Sequence, residues 1–238
     1  MGGLVGGGNA ILLLLTAMAL VSALAIAFFA SRRKKAAVTR AFLGGAAILA
    51  LAYGGGVLAA SAASNEVTLA PGETKWFCGF YLDCHLGLSV DRHESLPELA
   101  GSGAPVKATG TFHVLTLSLR NSAKNENVDM LLYHPDAEVI DAAGNRYRRS
   151  AAAEAALPAT RPPALGAETK VDHNPRQATV VFDLPANVQE PRLIVTEGWI
   201  VDRVLELGLI DDENSIFHKR TYLALDASDS RIASSAKQ

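Results

Sequence analysis

The sequence predicts an antiparallel β-sandwich domain preceded by a two-helix transmembrane hairpin. Three observations lead there. Two long uncharged apolar runs open the chain, the pattern after residue 65 changes from helical to alternating, and Gly, Pro and Asn turn signals then recur at short spacing. A chain of 238 residues has room for one ordinary domain beside the hairpin, and its 49% of hydrophobic residues are concentrated in residues 1–62.

Residues 10–30 are 21 positions without a charge, and residues 41–60 are another 20. As helices, each is about 30 Å long, the thickness of a bilayer core. Between them stand Arg32, Arg33, Lys34, Lys35 and Arg40, and no acidic residue occurs anywhere in residues 1–62. By the positive-inside rule the basic loop, residues 31–40, lies in the cytoplasm. Both termini and the domain of residues 63–225 then lie on the outer side of the cytoplasmic membrane. The remainder of the chain holds 17 basic residues (22 less these five) against all 24 acidic ones. A balance of about −7 argues against nucleic acid as a partner.

Residues 1–9 carry no positive charge, so the first run does not read as a cleaved secretory signal. A competing reading makes the basic loop and second run an internal signal cleaved at Ala60-Ser61-Ala62. The pair in Ser31-Arg32-Arg33 hints at a twin-arginine signal, but residues 34–39 separate it from the apolar run. Ala19, Ala23 and Ala27 in the first run, and Ala46, Ala50 and Gly54 in the second, recur every fourth position. That spacing lets helices approach closely and dock on a larger membrane complex, although an alanine-rich composition produces it as well. Neither run contains Asp, Glu, Lys, Arg or His, so neither suggests an ion pathway.

Downstream, residues 66–69 read as a first strand and Pro71-Gly72-Glu73 as a turn before Lys75-Trp76-Phe77. Leu86, Leu88 and Val90 alternate. In residues 111–120, Phe112, Val114, Leu115, Leu117 and Leu119 interleave with Thr111, His113, Thr116, Ser118 and Arg120, predicting one buried and one wetter face. Gly144-Asn145 supplies the positive-φ residues of a hairpin turn. Residues 151–166, rich in Ala and Pro, read as an exposed connection with a helical turn at its start. Residues 178–184 and 192–197 are β-rich runs separated by Pro185 and Pro191. Residues 199–210 suggest a short helix with Val201, Val204, Leu205 and Leu209 on one side, residues 222–225 a last strand, and residues 226–238 a disordered tail.

Residues 112–121, the strand and turn of residues 139–147 with the core Asp141-x-x-Gly144, and Val180-Val181-Phe182-Asp183-Leu184-Pro185 resemble bacterial immunoglobulin-like envelope domains of unknown function. A narrower resemblance joins Lys75-Trp76-Phe77-Cys78, Asp83-Cys84-His85-Leu86, Asp212-Glu213-Asn214-Ser215 and His218-Lys219 to hypothetical envelope proteins in which a Cys pair ends in Asp-Cys-His. In those proteins the cysteines lie closer together than the five intervening residues here. The resemblance implies an immunoglobulin-like β-sandwich in the envelope and bears on fold and compartment only.

Cys78 and Cys84, placed outside the cytoplasm, are expected to form a disulfide, which stabilises by about 2 kcal/mol or somewhat more when unstrained. The alternative is a copper or zinc site in which His85 joins the two thiolates and His93 or His218 completes the set, although the spacing matches no standard site. Asp211, Asp212 and Glu213 offer oxygen ligands for calcium without the alternating spacing of a known loop, and read better as a solvated acidic turn. His113 and His134 read as surface or partly buried side chains. No nucleophile elbow, phosphate loop or zinc-protease motif occurs. The expectation is a non-enzymatic, membrane-anchored binding module without cofactor. Its rivals are an accessory subunit of a larger membrane complex and a metal or redox protein using Cys78, Cys84 and His85.

Overall fold

The computed structural model describes residues 5–77, 85–99, 105–125 and 127–225, with side chains from residue 9 onward. The chain forms two compact units. Among the described residues, one contains the helical hairpin up to Asn65 together with Ile200–Lys219; the other contains Glu66–Phe77, residues 85–199 and the last strand.

In the first unit, α1 (Val5–Arg32) and α2 (Ala36–Ala63) pack against each other. Both are long and apolar enough to cross a membrane. They extend beyond the apolar runs because nothing in the basic loop breaks a helix. Arg32 carries its charge in the last turn of α1, where the helix dipole favours a cation, and Ala36 and Ala37 are good helix formers that start α2 early. The basic loop thus shrinks to a tight turn in which Lys34 takes a left-handed φ of 54° and the Lys35 amide donates to the Ala30 carbonyl at 2.9 Å. Arg40 stands exposed on α2 itself. Positions on strict four-residue spacing drift by about 40° per step around a helix. Accordingly Ala27 and Ala46 are buried and Ala23 and Gly54 half-buried, whereas Ala19 and Ala50 turn outward.

The second unit holds eleven strands in three sheets among the described residues. In spatial order, the first comprises β1 (Val67–Leu69), β11 (Thr221–Ala224), β10 (Arg192–Thr196), β6 (Asp136–Ile140) and β7 (Arg146–Arg148). The second comprises β2 (Lys75–Phe77), β3 (Leu86–Leu99), β4 (Val106–Asn121) and β9 (Arg176–Leu184). The short pair β5 (Met130–Tyr133) and β8 (Glu168–Val171) forms the third. Leu88, Leu117, Val180 and Phe182 of the four-stranded sheet share one core with Val139, Leu193, Val195 and Leu223 of the five-stranded sheet. Two sheets closing on one core form a β-sandwich.

Two expectations are corrected here. The sandwich is not wholly antiparallel, because β1 pairs with β11 in parallel. Both strands emerge from segments already joined, since the Lys219 amide donates to Ser64 Oγ at 2.9 Å, and the two strands set out side by side in one direction. Nor does β4 have one wet face. Leu115, Leu117 and Leu119 face the shared core, while Phe112 and Val114 on the opposite face form a second buried cluster with Leu99, Val181 and Ala153.

That second cluster exists because residues 151–166 are not an exposed connection. Ser150 caps α3 (Ala151–Ala155), and Ala153 and Leu165 are buried. The Ser150 amide donates to the Val181 carbonyl (2.7 Å), and the Val181 amide donates to Glu154 Oε1 (3.2 Å). Arg149 holds the Glu154 carboxylate through two bonds of 2.8 Å. Farther along, the Leu165 amide donates to the Thr179 carbonyl and the Thr179 amide to the Pro163 carbonyl. The segment thereby pairs the edge of β9 that would otherwise be a free strand edge.

The expected turn at residues 141–145 is present. Ile140 pairs with Arg146, but Gly144 alone takes a positive φ, 84°, and Asn145, expected to share it, does not. Asp141 organises it, accepting from the amides of Ala143 (2.9 Å) and Asn145 (2.8 Å), from Asn145 Nδ2 (2.9 Å) and from the Tyr147 hydroxyl (3.0 Å). Gly110 is required by closeness: a Cβ there would meet the Leu184 carbonyl oxygen at 2.1 Å. The amides of Thr109 and Gly110 both donate to the Asp183 carboxylate, fixing the end of the β4–β9 ladder.

Phe182 is fully buried in the shared core. Phe182→Ala is expected to destabilise the detergent-solubilised protein by about 3–5 kcal/mol. Chemical unfolding followed by tryptophan fluorescence measures this, and a loss no larger than that of Ala substitution at half-exposed Trp76 would contradict the shared core.

Candidate functional site

Cys78 and Cys84 lie outside the described residues, as does the tail of residues 226–238. His85 stands half-buried immediately before β3, its Nδ1 3.2 Å from Ser122 Oγ. Among the described residues no group of three or more His, Cys, Asp or Glu side chains is placed to hold a metal ion. The acidic segment forms a turn: Asp211 has a φ of 59°, the Asn214 amide donates to Asp212 Oδ1 at 2.7 Å, and His218 Nε2 lies 3.6 Å from Asp211 Oδ1.

Three constellations in the structure have no counterpart in the sequence motifs. The first is a histidine pair. The β3–β4 register sets His93 opposite Leu115 and Ser95 opposite His113, which makes the two histidines diagonal neighbours on one face. His93 Nε2 lies 2.9 Å from His113 Nδ1, and His93 Nδ1 lies 2.8 Å from the Leu225 carbonyl. With His93 neutral, its Nδ1–H donates to that carbonyl, so Nε2 is the acceptor and His113 Nδ1 carries the proton between the rings. Next to the pair, Arg161 donates to both oxygens of Glu94 (3.3 and 2.7 Å), and Arg92 Nε lies 2.7 Å from Glu94 Oε1. The Arg161 hydrogen bond holds the Glu94 carboxyl below the usual range against the opposing effect of burial.

The second is an aromatic group on the sheet unit. Tyr133 stacks on Trp199 with ring centres 5.5 Å apart and planes at 22°, and His134 sets its ring edge-on to both. Backbone bonds hold the group, with the Gly198 amide donating to the Tyr133 carbonyl (2.7 Å) and the His134 amide to the Ala167 carbonyl (2.6 Å). Half of Trp199 remains exposed.

The third is a buried lysine. Lys75 and Phe77 point inward from β2, and Lys75 Nζ donates to the Val195 carbonyl at 2.8 Å, lying 5.2 Å from the centre of the Phe77 ring. It fastens the edge of one sheet to the middle of the other. The alternation of Lys75-Trp76-Phe77 alone does not reveal which of these residues faces inward.

No protein-family model and no curated protein matches the chain. Three solved structures are similar in part. A secreted protein of Mycobacterium tuberculosis, MPT63, is 14% identical with a TM-score of 0.39, over 59% of this chain and 95% of that one. An uncharacterized β-sandwich protein of Clostridium difficile is 8% identical with a TM-score of 0.36, over 68% and 96%. A conserved hypothetical protein of Bacillus anthracis is 14% identical with a TM-score of 0.35, over 47% and 82%.

The carboxylates of Asp141 and Glu94 give the sheet unit a predictable response to acid. Asp141 is held below the usual range, first by the Asn145 side chain and then by the Asn145 amide and Tyr147, against burial. A carboxyl whose native value lies below its unfolded value of about 4 adds stability above that unfolded value. The contribution is lost as pH falls through the native value. Unfolding free energy should therefore decline as pH is lowered from about 5, and more gently in a variant carrying Asp141→Asn and Glu94→Gln. Equal slopes for variant and parent would refute this.

Proposed function

We propose that the chain is a membrane-anchored envelope protein whose immunoglobulin-like domain, held outside the cytoplasmic membrane, serves as a binding module for a protein or small ligand. The observation that carries this reading is the surface of the hairpin. Leu14, Val21, Phe29, Ile48 and Leu51 all point outward from α1 and α2, which suits lipid rather than water. The Arg32 to Lys35 cluster closes one end of the pair and favours the cytoplasmic side. In the sheet unit, the half-exposed Trp199 with Tyr133 and His134 is the surface best suited to hold a partner.

A second reading, an accessory subunit of a membrane complex, is favoured by one observation on α2. Ala41, Gly45, Ala52, Gly55 and Ala59 are exposed at steps of three, four and seven residues, on the side away from buried Ala46 and Val57. No neighbouring atom lies within 4 Å of where a Cβ would stand on Gly45 or Gly55, so a further helix has room to approach closely.

Two measurements test these readings. With Cys78 and Cys84 replaced by Ser and Ser31→Cys introduced, a membrane-impermeant thiol reagent should leave intact spheroplasts unlabelled and label them after lysis; labelling without lysis overturns the orientation. Affinity isolation from the host membrane in mild detergent should recover a partner whose yield falls in Trp199→Ala. A partner lost instead on Gly45→Leu favours the subunit reading, and a chain that always migrates alone in native mass measurement opposes it.

A further inference from the structure

Ile200–Lys219 interrupts the sheet unit between two paired strands, β10 and β11, and joins the helical unit. It opens with a short helix, α4 (Ile200–Glu206), followed by an irregular turn. Polarity is inverted in α4 and at Ile216-Phe217, while the turn between them keeps the ordinary order, with Leu209 buried and Asp211 exposed. Ile200 is 79% exposed and Phe217 76%, and Val201, Val204, Leu207 and Ile216 are exposed as well. The charged residues of α4 go the other way: Glu206 is buried, and Asp202 and Arg203 are half-buried. Water selects the opposite arrangement, with charge outward and aliphatic groups inside. Apolar side chains outside and charges inside are what a lipid environment selects.

The second observation concerns the backbone. Three carbonyls of this segment receive hydrogen bonds from side chains of the two long helices. Asn9 Nδ2 donates to Ile210 (2.5 Å), the Tyr53 hydroxyl to Gly208 (2.9 Å) and Ser61 Oγ to Ile216 (2.6 Å). Within the segment, the Ile216 amide donates to the Leu207 carbonyl and the Leu209 amide to the Glu206 carbonyl. Non-helical backbone persists at membrane depth only when its polar groups are met by protein in this way. Leu13 packs beside Gly208. Counted from the basic turn, Leu13 and Tyr53 lie about 25–30 Å along their helices, the far edge of a hydrocarbon core. Tyrosine is favoured at that level.

We propose that α4 and Ile216-Phe217 lie in the outer leaflet of the bilayer that the hairpin crosses, with Ile200, Val201, Val204, Leu207, Ile216 and Phe217 immersed among the lipid chains near the headgroups and the exposed Asp211 of the intervening turn at headgroup level. The inference rests on the membrane reading of the hairpin. It makes the segment a second, interfacial membrane contact, contributed by the C-terminal part of the chain.

Tryptophan quenching in vesicles of brominated phosphatidylcholine tests it on the full chain. The chain has two tryptophans; with Trp76→Phe and Trp199→Phe as background, a single reporter is introduced as Phe217→Trp, as Ile200→Trp or, at exposed Val21 about 16 Å along α1 from the basic turn, as Val21→Trp. Lipids brominated near the carbonyl end of the chain should quench the reporters at 217 and 200 more strongly than lipids brominated near the methyl end, and Val21→Trp should show the reverse order. Quenching at 21 with none at 217 or 200 overturns the inference and leaves the hairpin standing. No quenching at any position overturns both. Two reporters at exposed positions guard against one of them disturbing the fold.

Discussion

The hydrogen bonds that Asn9, Tyr53 and Ser61 donate to Ile210, Gly208 and Ile216 express the constraint on which this structure turns, that each backbone polar group needs a partner wherever water is kept out. In the helical unit they allow an irregular segment to lie against two apolar helices. The sheet unit meets the same demand by other means. β9 would end its sheet as an open edge, and residues 150–165 close it with the Ser150 amide, the Glu154 carboxylate and the pairing around Thr179. Burial of Val181 and Phe112 then follows, because the segment that satisfies the edge also covers that face.

The elements legible in the sequence are those whose cause is local. Uncharged runs of about 20 residues specify helices regardless of what surrounds them. The Asp141 turn is equally local, because Asp, Gly and Asn within five positions supply the acceptor, the positive φ and the donors. β4 was readable as a strand from its alternation. Its second covered face was not, because Val114-Leu115 looks like a flaw in the pattern until both sides of the strand have partners.

What was not legible depends on partners distant in the chain. Leu86, Leu88 and Val90 announce β3, but Pro97 speaks against a strand reaching Leu99. The ladder tolerates it through a register shift between Leu96 and Glu98, where the missing amide leaves no gap. His93 and His113 are 20 positions apart and meet only through that hairpin, and His93 is further held by Leu225, 132 positions away. Residues 151–166 look like a connection by composition, since alanine and proline carry no periodic signal. Their role is fixed by Arg149, Glu154 and the edge of β9 together.

Residues 199–210 show most clearly how far sequence pattern reaches. Val201, Val204 and Leu205 do lie along one side of a helix, as their spacing suggests, but amphipathic spacing states only that two faces differ and says nothing about which solvent each face meets. Read against water, the apolar side should enter the sandwich core. In the structure Asp202, Arg203 and Glu206 turn in and Val201, Val204 and Leu205 remain outside, whereas Leu209, expected on their side, lies beyond the helix end and is buried; the segment joins the hairpin. Residues 63–238 thus include a segment that packs with the hairpin and not with the sheets. Without the hairpin, the carbonyls of Gly208, Ile210 and Ile216 lose the side chains that satisfy them, while Ile200, Val204 and Phe217 still face outward. A chain cut at the apparent domain boundary would thus keep the strands and lose the surroundings that make residues 200–217 stable, and the boundary drawn at the end of α2 separates the apolar runs without separating the two units.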